Sequence, residues 1–128
     1  MATLQKILYV EDDPDIRELV QLALELVGGF ELCVCASGED AMKRAPVFAP
    51  DLALLDVMMP GMDGPTTLTR IREHPDLRKL PAVFMTAQVQ PAEVARLRAL
   101  GVLDVIAKPF DPMQLGTQLH DIWNARGA

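Results

Sequence analysis

The sequence lacks any apolar run long enough to cross a membrane. A spanning helix needs about 18–20 consecutive apolar residues, and no stretch of the 128 residues approaches that length. The start of the chain does not resemble a signal peptide, because acidic residues follow its first short apolar run. Linkers, repeats and low-complexity segments are also missing. We therefore expect one domain over residues 1–128, without a membrane partner and located in the cytoplasm.

Cysteine is scarce. Cys33 and Cys35 lie two apart in one predicted strand, where same-face neighbours have poor geometry for a disulfide. Neither a third cysteine nor a nearby histidine completes a zinc site. We interpret both as small buried side chains.

Basic residues are outnumbered, and a glycine-rich phosphate loop is missing. Twelve Lys and Arg residues against 18 Asp and Glu residues give a net charge of −6. That balance argues against direct binding to nucleic acid or to an anionic membrane, since both need a basic surface. Without a Gly-Lys-Ser or Gly-Lys-Thr loop, a P-loop nucleotide switch is excluded.

Short apolar runs alternate with amphipathic segments along the whole chain. Five strands are predicted, at residues 6–10, 30–36, 51–56, 81–85 and 103–107, and a helical pattern follows each. Strict alternation with short connections indicates a parallel sheet with right-handed crossovers. Five strands favour a doubly wound α/β fold over an eight-stranded barrel. In the order 2-1-3-4-5, the topological switch point lies between the first and third strands.

Capping residues predict where the helices begin and end. Asp13 and Pro14 open the first helix, and Gly28-Gly29 ends it. Ser37 resembles the start of a capping box for the second helix, which Pro46 should end early because its ring would clash with a preceding carbonyl. The inward face of the first helix is predicted to comprise Ile16, Leu19, Val20, Ala23 and Val27.

Polar side chains stand where the predicted strands end. Glu11 and Asp12 follow the first strand, Asp56 ends the third, Thr86 follows the fourth and Lys108 follows the fifth. In a parallel sheet these positions share one edge. Three carboxylates there would repel one another unless a hard cation such as Mg²⁺ joined them. A hydroxyl and an ammonium would bind the other oxygens of a phosphoryl group, so the pattern predicts that Asp56 accepts phosphate.

These residues belong to longer motifs that resemble one protein family. The motifs are Ile7-Leu8-Tyr9-Val10-Glu11-Asp12-Asp13-Pro14, Leu54-Leu55-Asp56-Val57-Met58-Met59-Pro60-Gly61-Met62-Asp63-Gly64, Met85-Thr86-Ala87 and Lys108-Pro109-Phe110. Together they resemble the receiver domain of bacterial two-component response regulators, of the single-domain, chemotaxis-regulator type. The resemblance implies a flavodoxin-like fold of five strands and five helices, and a role as a phosphorylation-dependent signalling switch.

The resemblance also implies how the phosphoryl group and its metal are bound. Asp56 would accept phosphate from the phosphohistidine of a histidine kinase or phosphotransfer protein. Mg²⁺ would bind the carboxylates of Asp12 and Asp56 and the main-chain carbonyl of Met58, with Glu11 nearby or acting through water. The chain would catalyse only its own phosphorylation and dephosphorylation, and so would not be an enzyme toward other substrates.

Signal output is implied by the same resemblance. Thr86 would hydrogen-bond the phosphoryl group and Lys108 would pair with it, and the Lys108–Pro109 peptide bond is cis in this family. A downstream protein would bind the face formed by the fourth helix, fifth strand and fifth helix. We expect the output to act on a separate protein, unless the chain is a fragment of a longer one. The sequence does not identify the cognate kinase, the input signal, the downstream target or the oligomeric state.

The sequence departs from the family at one position, and two further residues bear on the lifetime of the phosphoryl group. Val105 replaces the usual Tyr or Phe, whose ring in the family moves into space that the threonine side chain vacates. Valine has one stiff torsion and little reach, so we predict a smaller or differently located switch. Met58 and Gln88 flank the path of the water that removes phosphate in this family. Because Met58 offers that water no side-chain hydrogen bond, we predict slow dephosphorylation.

Two alternative functions use the same residues. A receiver-like module could bind partners without control by phosphorylation, and Val105 is the only feature that favours this alternative. A Mg²⁺-dependent aspartyl phosphohydrolase would use Asp56 as its nucleophile, but such enzymes usually carry a second acid where this chain has Met58. Turnover of a general phosphate ester would favour the phosphohydrolase.

Overall fold

A computed structural model describes residues 3–126, and within them five parallel strands form one sheet. The strands are β1 (Lys6–Val10), β2 (Glu31–Cys35), β3 (Leu52–Asp56), β4 (Ala82–Thr86) and β5 (Asp104–Ala107). Their order is β2-β1-β3-β4-β5, so the predicted doubly wound order is confirmed. β3 lies at the centre, and all five of its residues are buried. β2 lies at an edge, where Glu31 is exposed.

Five helices connect and cover the strands. They are α1 (Pro14–Leu22), which continues as a π-helical turn over Ala23–Val27, α2 (Gly38–Phe48), α3 (Gly64–Ile71), α4 (Pro91–Arg98) and α5 (Pro112–Ala125). A short 3₁₀ turn, Pro75–Leu77, precedes β4. Within residues 3–126 no helix is both long and apolar enough to cross a membrane.

The two faces of the sheet bury separate apolar layers. Side chains alternate along each strand, so Tyr9 and Leu54 pack with α1 and α5, whereas Leu55 and Phe84 pack with α2, α3 and α4. Burying both faces explains why the central strands read as continuous apolar runs. The layers cover both faces of the sheet and leave the ends of the strands open to ligands, which is where the predicted site residues lie.

The inward face of α1 is confirmed for Val20 and Ala23, which are buried, and for Ile16, which packs against the core, but it is wrong for two other residues. Leu19 and Val27 are 53% and 58% exposed, whereas Leu24 is fully buried. Val20 and Leu24, four residues apart, face the sheet, and Leu19 lies beside that line. In the π-helical turn the Gly28 N–H bonds to a carbonyl five residues back, at 3.1 Å. Such a turn holds more residues than an α-helical turn, so it rotates Val27 toward solvent.

Pro46 does not end α2, contrary to the sequence prediction. The helix continues to Phe48. Pro46 lies in the last turn, so only two helical residues follow its ring, and its missing N–H costs the helix one hydrogen bond. The actual end is Ala49, which adopts a left-handed conformation with φ of 54° and donates its N–H to Ala45 at 2.9 Å. A left-handed residue at a helix end is a common stop.

The capping box predicted at the start of α2 forms in one direction. Ser37 Oγ accepts the Asp40 N–H at 3.1 Å, as predicted. The Asp40 carboxylate instead pairs with Arg44, one turn further along the helix, at 3.3 Å. An i, i+4 pair of this kind competes for the side chain that would complete the box.

Cys33 and Cys35 are free and buried, as interpreted from the sequence. Their sulfur atoms lie 4.0 Å apart on the same face of β2. Burial raises the pKa of Cys35 to about 12. A thiol with so high a pKa stays protonated at neutral pH, which suits a packing role.

Candidate functional site

The fold brings three acidic side chains together at one edge of the sheet. Glu11 and Asp12 follow β1, and Asp56 ends the adjacent strand β3. One carboxylate oxygen from each of the three lies within 4.8 Å of the others. Glu11 and Asp56 are buried, whereas Asp12 is half-buried. These acids are the ones that the sequence placed at a shared edge.

Lys108 reaches into this cluster from the end of β5. Its Nζ lies 2.8 Å from Asp56 Oδ1 and 3.2 Å from Glu11 Oε1. The Lys108 N–H also donates to the Thr86 carbonyl at 2.8 Å, which extends the β4–β5 pairing to the site. The Lys108–Pro109 peptide bond is cis. The distances from Nζ show that the ammonium bridges two of the acids.

Thr86 ends β4, the strand between Asp56 and Lys108. Its side chain is buried, and its Oγ1 accepts the Gln88 N–H at 3.0 Å. That bond uses the oxygen as an acceptor and leaves the hydroxyl proton free for another acceptor. Met58 lies two residues beyond β3, and its side chain is 63% exposed.

The pKa of Glu11 reflects both its burial and its acidic neighbour. Burial and the charge of Asp56 raise it from 4.5 to about 7, although Lys108 opposes the shift. Burial alone would lower the pKa of Lys108, but its hydrogen bond and ion pair with Asp56 raise it. One ammonium does not balance three carboxylates. A hard divalent cation would balance them, and carboxylate oxygens are the donors that Mg²⁺ prefers.

Asp13 is next to these acids in sequence but has a different task. Its Oδ1 accepts the N–H groups of Asp15 and Ile16 at 2.9 and 3.3 Å, which caps the start of α1. The Asp13 N–H in turn donates to Glu11 Oε2 at 3.3 Å. The cap therefore fixes both the helix and the neighbouring carboxylate. This assignment agrees with the sequence prediction.

Two residues to which the sequence assigned no role at the site also shape it. Gly64 opens α3 directly against the main chain of Asp56, where any Cβ would collide with the Asp56 carbonyl oxygen. Arg17 donates from Nη1 to the carbonyls of Glu11 and Asp12 at 3.0 and 3.3 Å. Gly64 at the first position of a helix was a signal in the sequence that could have indicated this close approach of two main-chain segments. The contacts of Arg17 have no comparable signal in the sequence.

Comparison with known sequences gives one family. The family model described as the response regulator receiver domain matches residues 7–120. The transcriptional regulatory protein CseB of Streptomyces coelicolor is 39% identical over 122 residues, which are 95% of this chain and 50% of CseB. The phosphate regulon transcriptional regulatory protein PhoB of Rhizobium meliloti is 36% identical over 112 residues, or 88% of this chain and 49% of PhoB. The chain thus spans about half the length of these curated relatives.

Solved structures give the same fold. The chemotaxis protein CheY4 of Vibrio cholerae superposes with a TM-score of 0.85 at 28% identity, covering 94% of this chain and 99% of CheY4. The signal receiver domain of a signal transduction histidine kinase from Syntrophus aciditrophicus gives a TM-score of 0.79 at 30% identity. That match covers 97% of this chain and 94% of the domain.

Proposed function

Because this chain belongs to the response regulator receiver domains, we propose that it is a signalling switch controlled by phosphorylation of Asp56. The phosphoryl donor is the phosphohistidine of a histidine kinase or phosphotransfer protein, and the receiver unit comprises residues 1–128. One observation carries the proposal: the Lys108 ammonium lies 2.8 Å from Asp56 Oδ1 and also contacts Glu11, beside a third acid, Asp12. We place this exchange in the cytoplasm.

The proposed reaction moves one phosphoryl group between two side chains. An oxygen of the Asp56 carboxylate attacks phosphorus, the P–N bond of the donor breaks, and the imidazole leaves with the electron pair. Lys108 then pairs with an oxygen of the new acyl phosphate, and the Thr86 hydroxyl donates to another. Outside this exchange and its hydrolysis, the chain catalyses no reaction.

Mg²⁺ is the proposed cofactor, because the cluster offers only oxygen ligands. The carboxylates of Glu11, Asp12 and Asp56 and the main-chain carbonyl of Met58 would hold it. When bound, the ion neutralises charge on the phosphoryl oxygens during transfer. The geometry supports this assignment, since three carboxylates with oxygens within 4.8 Å of one another share a single ammonium, that of Lys108.

Output is proposed to pass through the face formed by α4, β5 and α5 to a protein partner. The half-buried Val105 lies in β5 on this face, where the family usually has an aromatic ring. We expect a smaller rearrangement on this face, or one located elsewhere on it than Val105, because valine has one stiff torsion. The measurement compares amide chemical shifts of the face with and without a phosphoryl analogue. Large shifts centred on Val105 would contradict this prediction.

Slow loss of the phosphoryl group is a second prediction. The exposed Met58 side chain offers no hydrogen bond to an attacking water, so we expect a lifetime well beyond seconds. Met58→Asn supplies a donor and an acceptor at the same place and should shorten it. The decay of phosphorylated protein, followed by intact mass, measures both lifetimes. A wild-type lifetime of only seconds would count against the role of Met58.

The proposal is tested by incubating the protein with Mg²⁺ and a small acyl phosphate. We expect intact-mass spectrometry to find a single added phosphoryl group, and a chelator to prevent its addition. Peptide mapping should place the group on Asp56. An unmodified protein after prolonged incubation, or a group elsewhere, would refute the proposed switch.

A second candidate is an interaction module that phosphorylation does not control, and Val105 is the observation that favours it. This candidate predicts that Asp56 accepts phosphate without any change in amide shifts on the α4-β5-α5 face. The chemical-shift comparison therefore separates the two functions. The aspartyl phosphohydrolase gains no support, because Met58 provides no acid near the leaving group.

A further inference from the structure

Arg17 contacts the acidic loop without using any of its carboxylates. Its Nη1 donates to the main-chain oxygens of Glu11 and Asp12, at 3.0 and 3.3 Å. The two bonded carbonyls belong to consecutive residues, both of which contribute carboxylates to the cluster. Arg17 lies in the first turns of α1, and its N–H donates to Asp13 at 2.9 Å. The helix, its cap and the acidic loop are thereby joined in one unit.

The two cations near the cluster act on different atoms. Lys108 pairs directly with carboxylate oxygens of Asp56 and Glu11. It therefore competes with an incoming metal ion for those oxygens. The guanidinium of Arg17 is directed at main-chain oxygens, so it leaves the side-chain oxygens of the acids available. Its positive charge repels an incoming cation, so the contribution of Arg17 to metal affinity must come from the orientation of the two ligand residues.

We propose that Arg17 is a positioning residue for the metal centre: it fixes the Glu11–Asp12 main chain so that both carboxylates face Asp56. This inference rests on the proposed Mg²⁺ site of the preceding section. Outer-shell partners that orient metal ligands typically contribute 10- to 100-fold in metal affinity, by restricting the ligands to binding geometry. Arg17 meets that description because it touches the main chain of two ligand residues and no ligand atom.

A purely structural role makes a different prediction. If Arg17 only stabilised the start of α1, its removal would lower the free energy of unfolding and leave the Mg²⁺ affinity of the folded protein unchanged. Arg44 provides a matched control. It also donates from Nη1 to a main-chain carbonyl, that of Val34 at 2.7 Å, but it contacts no acid of the cluster.

The experiment is calorimetric titration of the unphosphorylated full chain with Mg²⁺, at a temperature where every variant is folded. Arg17→Met is expected to raise the Mg²⁺ Kd by about tenfold. Arg17→Lys keeps a cation and a donor near the two carbonyls and should recover most of the lost affinity. Arg44→Met should bind Mg²⁺ as the wild type does. Asp12→Asn removes a metal ligand, so its Mg²⁺ Kd shows how large the increase is when a ligand is lost outright.

The outcomes separate this inference from the proposed function. Equal Kd values for Arg17→Met and the wild type, or equal increases in Arg17→Met and Arg44→Met, would overturn the role of Arg17 alone. Failure of Arg17→Lys to recover affinity beyond Arg17→Met would also overturn it. A wild-type protein that binds no Mg²⁺ would overturn both the metal site and its positioning residue.

Discussion

Asp56→Asn is expected to abolish incorporation of the phosphoryl group. An amide oxygen is a far weaker nucleophile than a carboxylate, and the variant loses the charge that pairs with Lys108 at 2.8 Å. The substitution conserves the size of a buried side chain, so the fold should persist. Intact mass after incubation with Mg²⁺ and an acyl phosphate is the measurement, and no added phosphoryl group should be detected.

Two control variants make this result specific. Asp121→Asn is the same substitution at an exposed site on α5, outside the acidic cluster, and should be phosphorylated like the wild type. Asp12→Asn retains the nucleophile but loses a metal ligand. Its phosphorylation should therefore be much slower and should become faster as the Mg²⁺ concentration is raised. Persistent modification of Asp56→Asn would show that another residue accepts the group.

Glu11 is expected to make the free protein less stable as pH rises from about 4.5 to about 7. Its pKa is about 7 in the folded protein against 4.5 ordinarily, so in this range the folded state binds more protons than the unfolded state. The free energy of unfolding must then fall with rising pH. At 1.36 kcal/mol per pKa unit, the full loss is about 3 kcal/mol. It is complete above the folded-state pKa and absent below 4.5.

The test compares wild type with Glu11→Gln in urea unfolding at several pH values. Glutamine mimics the protonated acid, so the variant should not lose this stability as pH rises. The free energy of unfolding of the variant minus that of the wild type should therefore be larger at pH 8 than at pH 4, by up to about 3 kcal/mol. Taking the difference between the two proteins cancels the titration of groups that do not interact with Glu11. A wild-type-minus-variant difference that stays constant with pH would contradict the prediction.

Mg²⁺ should offset the loss of stability that ionisation of Glu11 causes at alkaline pH. An ion that binds only the folded state stabilises it by about 2.7 kcal/mol at 100 times its Kd. Binding also favours the ionised form of Glu11, which removes the cause of the pH dependence. Wild type in saturating Mg²⁺ should therefore show little fall in stability between pH 5 and pH 8. Magnesium that stabilises equally at both pH values would argue against contact with Glu11.

Local sequence patterns predicted most of the fold, because they report local physics. Apolar runs ending in polar residues marked all five strands, and caps such as Asp13 and Ser37 marked helix starts correctly. The errors both lie in the last turns of helices, where the rules for a regular helix interior do not hold. Pro46 is accommodated in a last turn, and the π-helical turn moves Val27 out of the core.

For the site, too, the sequence predicted some features and not others. The shared sheet edge follows from the strand ends and the parallel topology, both of which periodicity determines. The residues at this edge are Glu11, Asp12, Asp56, Thr86 and Lys108. The distances do not follow, because they depend on side-chain rotamers and on burial by distant segments. The 2.8 Å contact from Lys108 to Asp56 joins residues 52 positions apart.

Sequence by itself therefore determined the order of the elements, the choice of acids and the family. Only the tertiary structure decided the electrostatics: how far Glu11 is desolvated, which oxygens Lys108 occupies, and that Arg17 contacts carbonyls rather than carboxylates. The physical reason is that strand and helix formation depends on neighbours in the chain. Charge interactions depend on neighbours in space and on the water that packing removes.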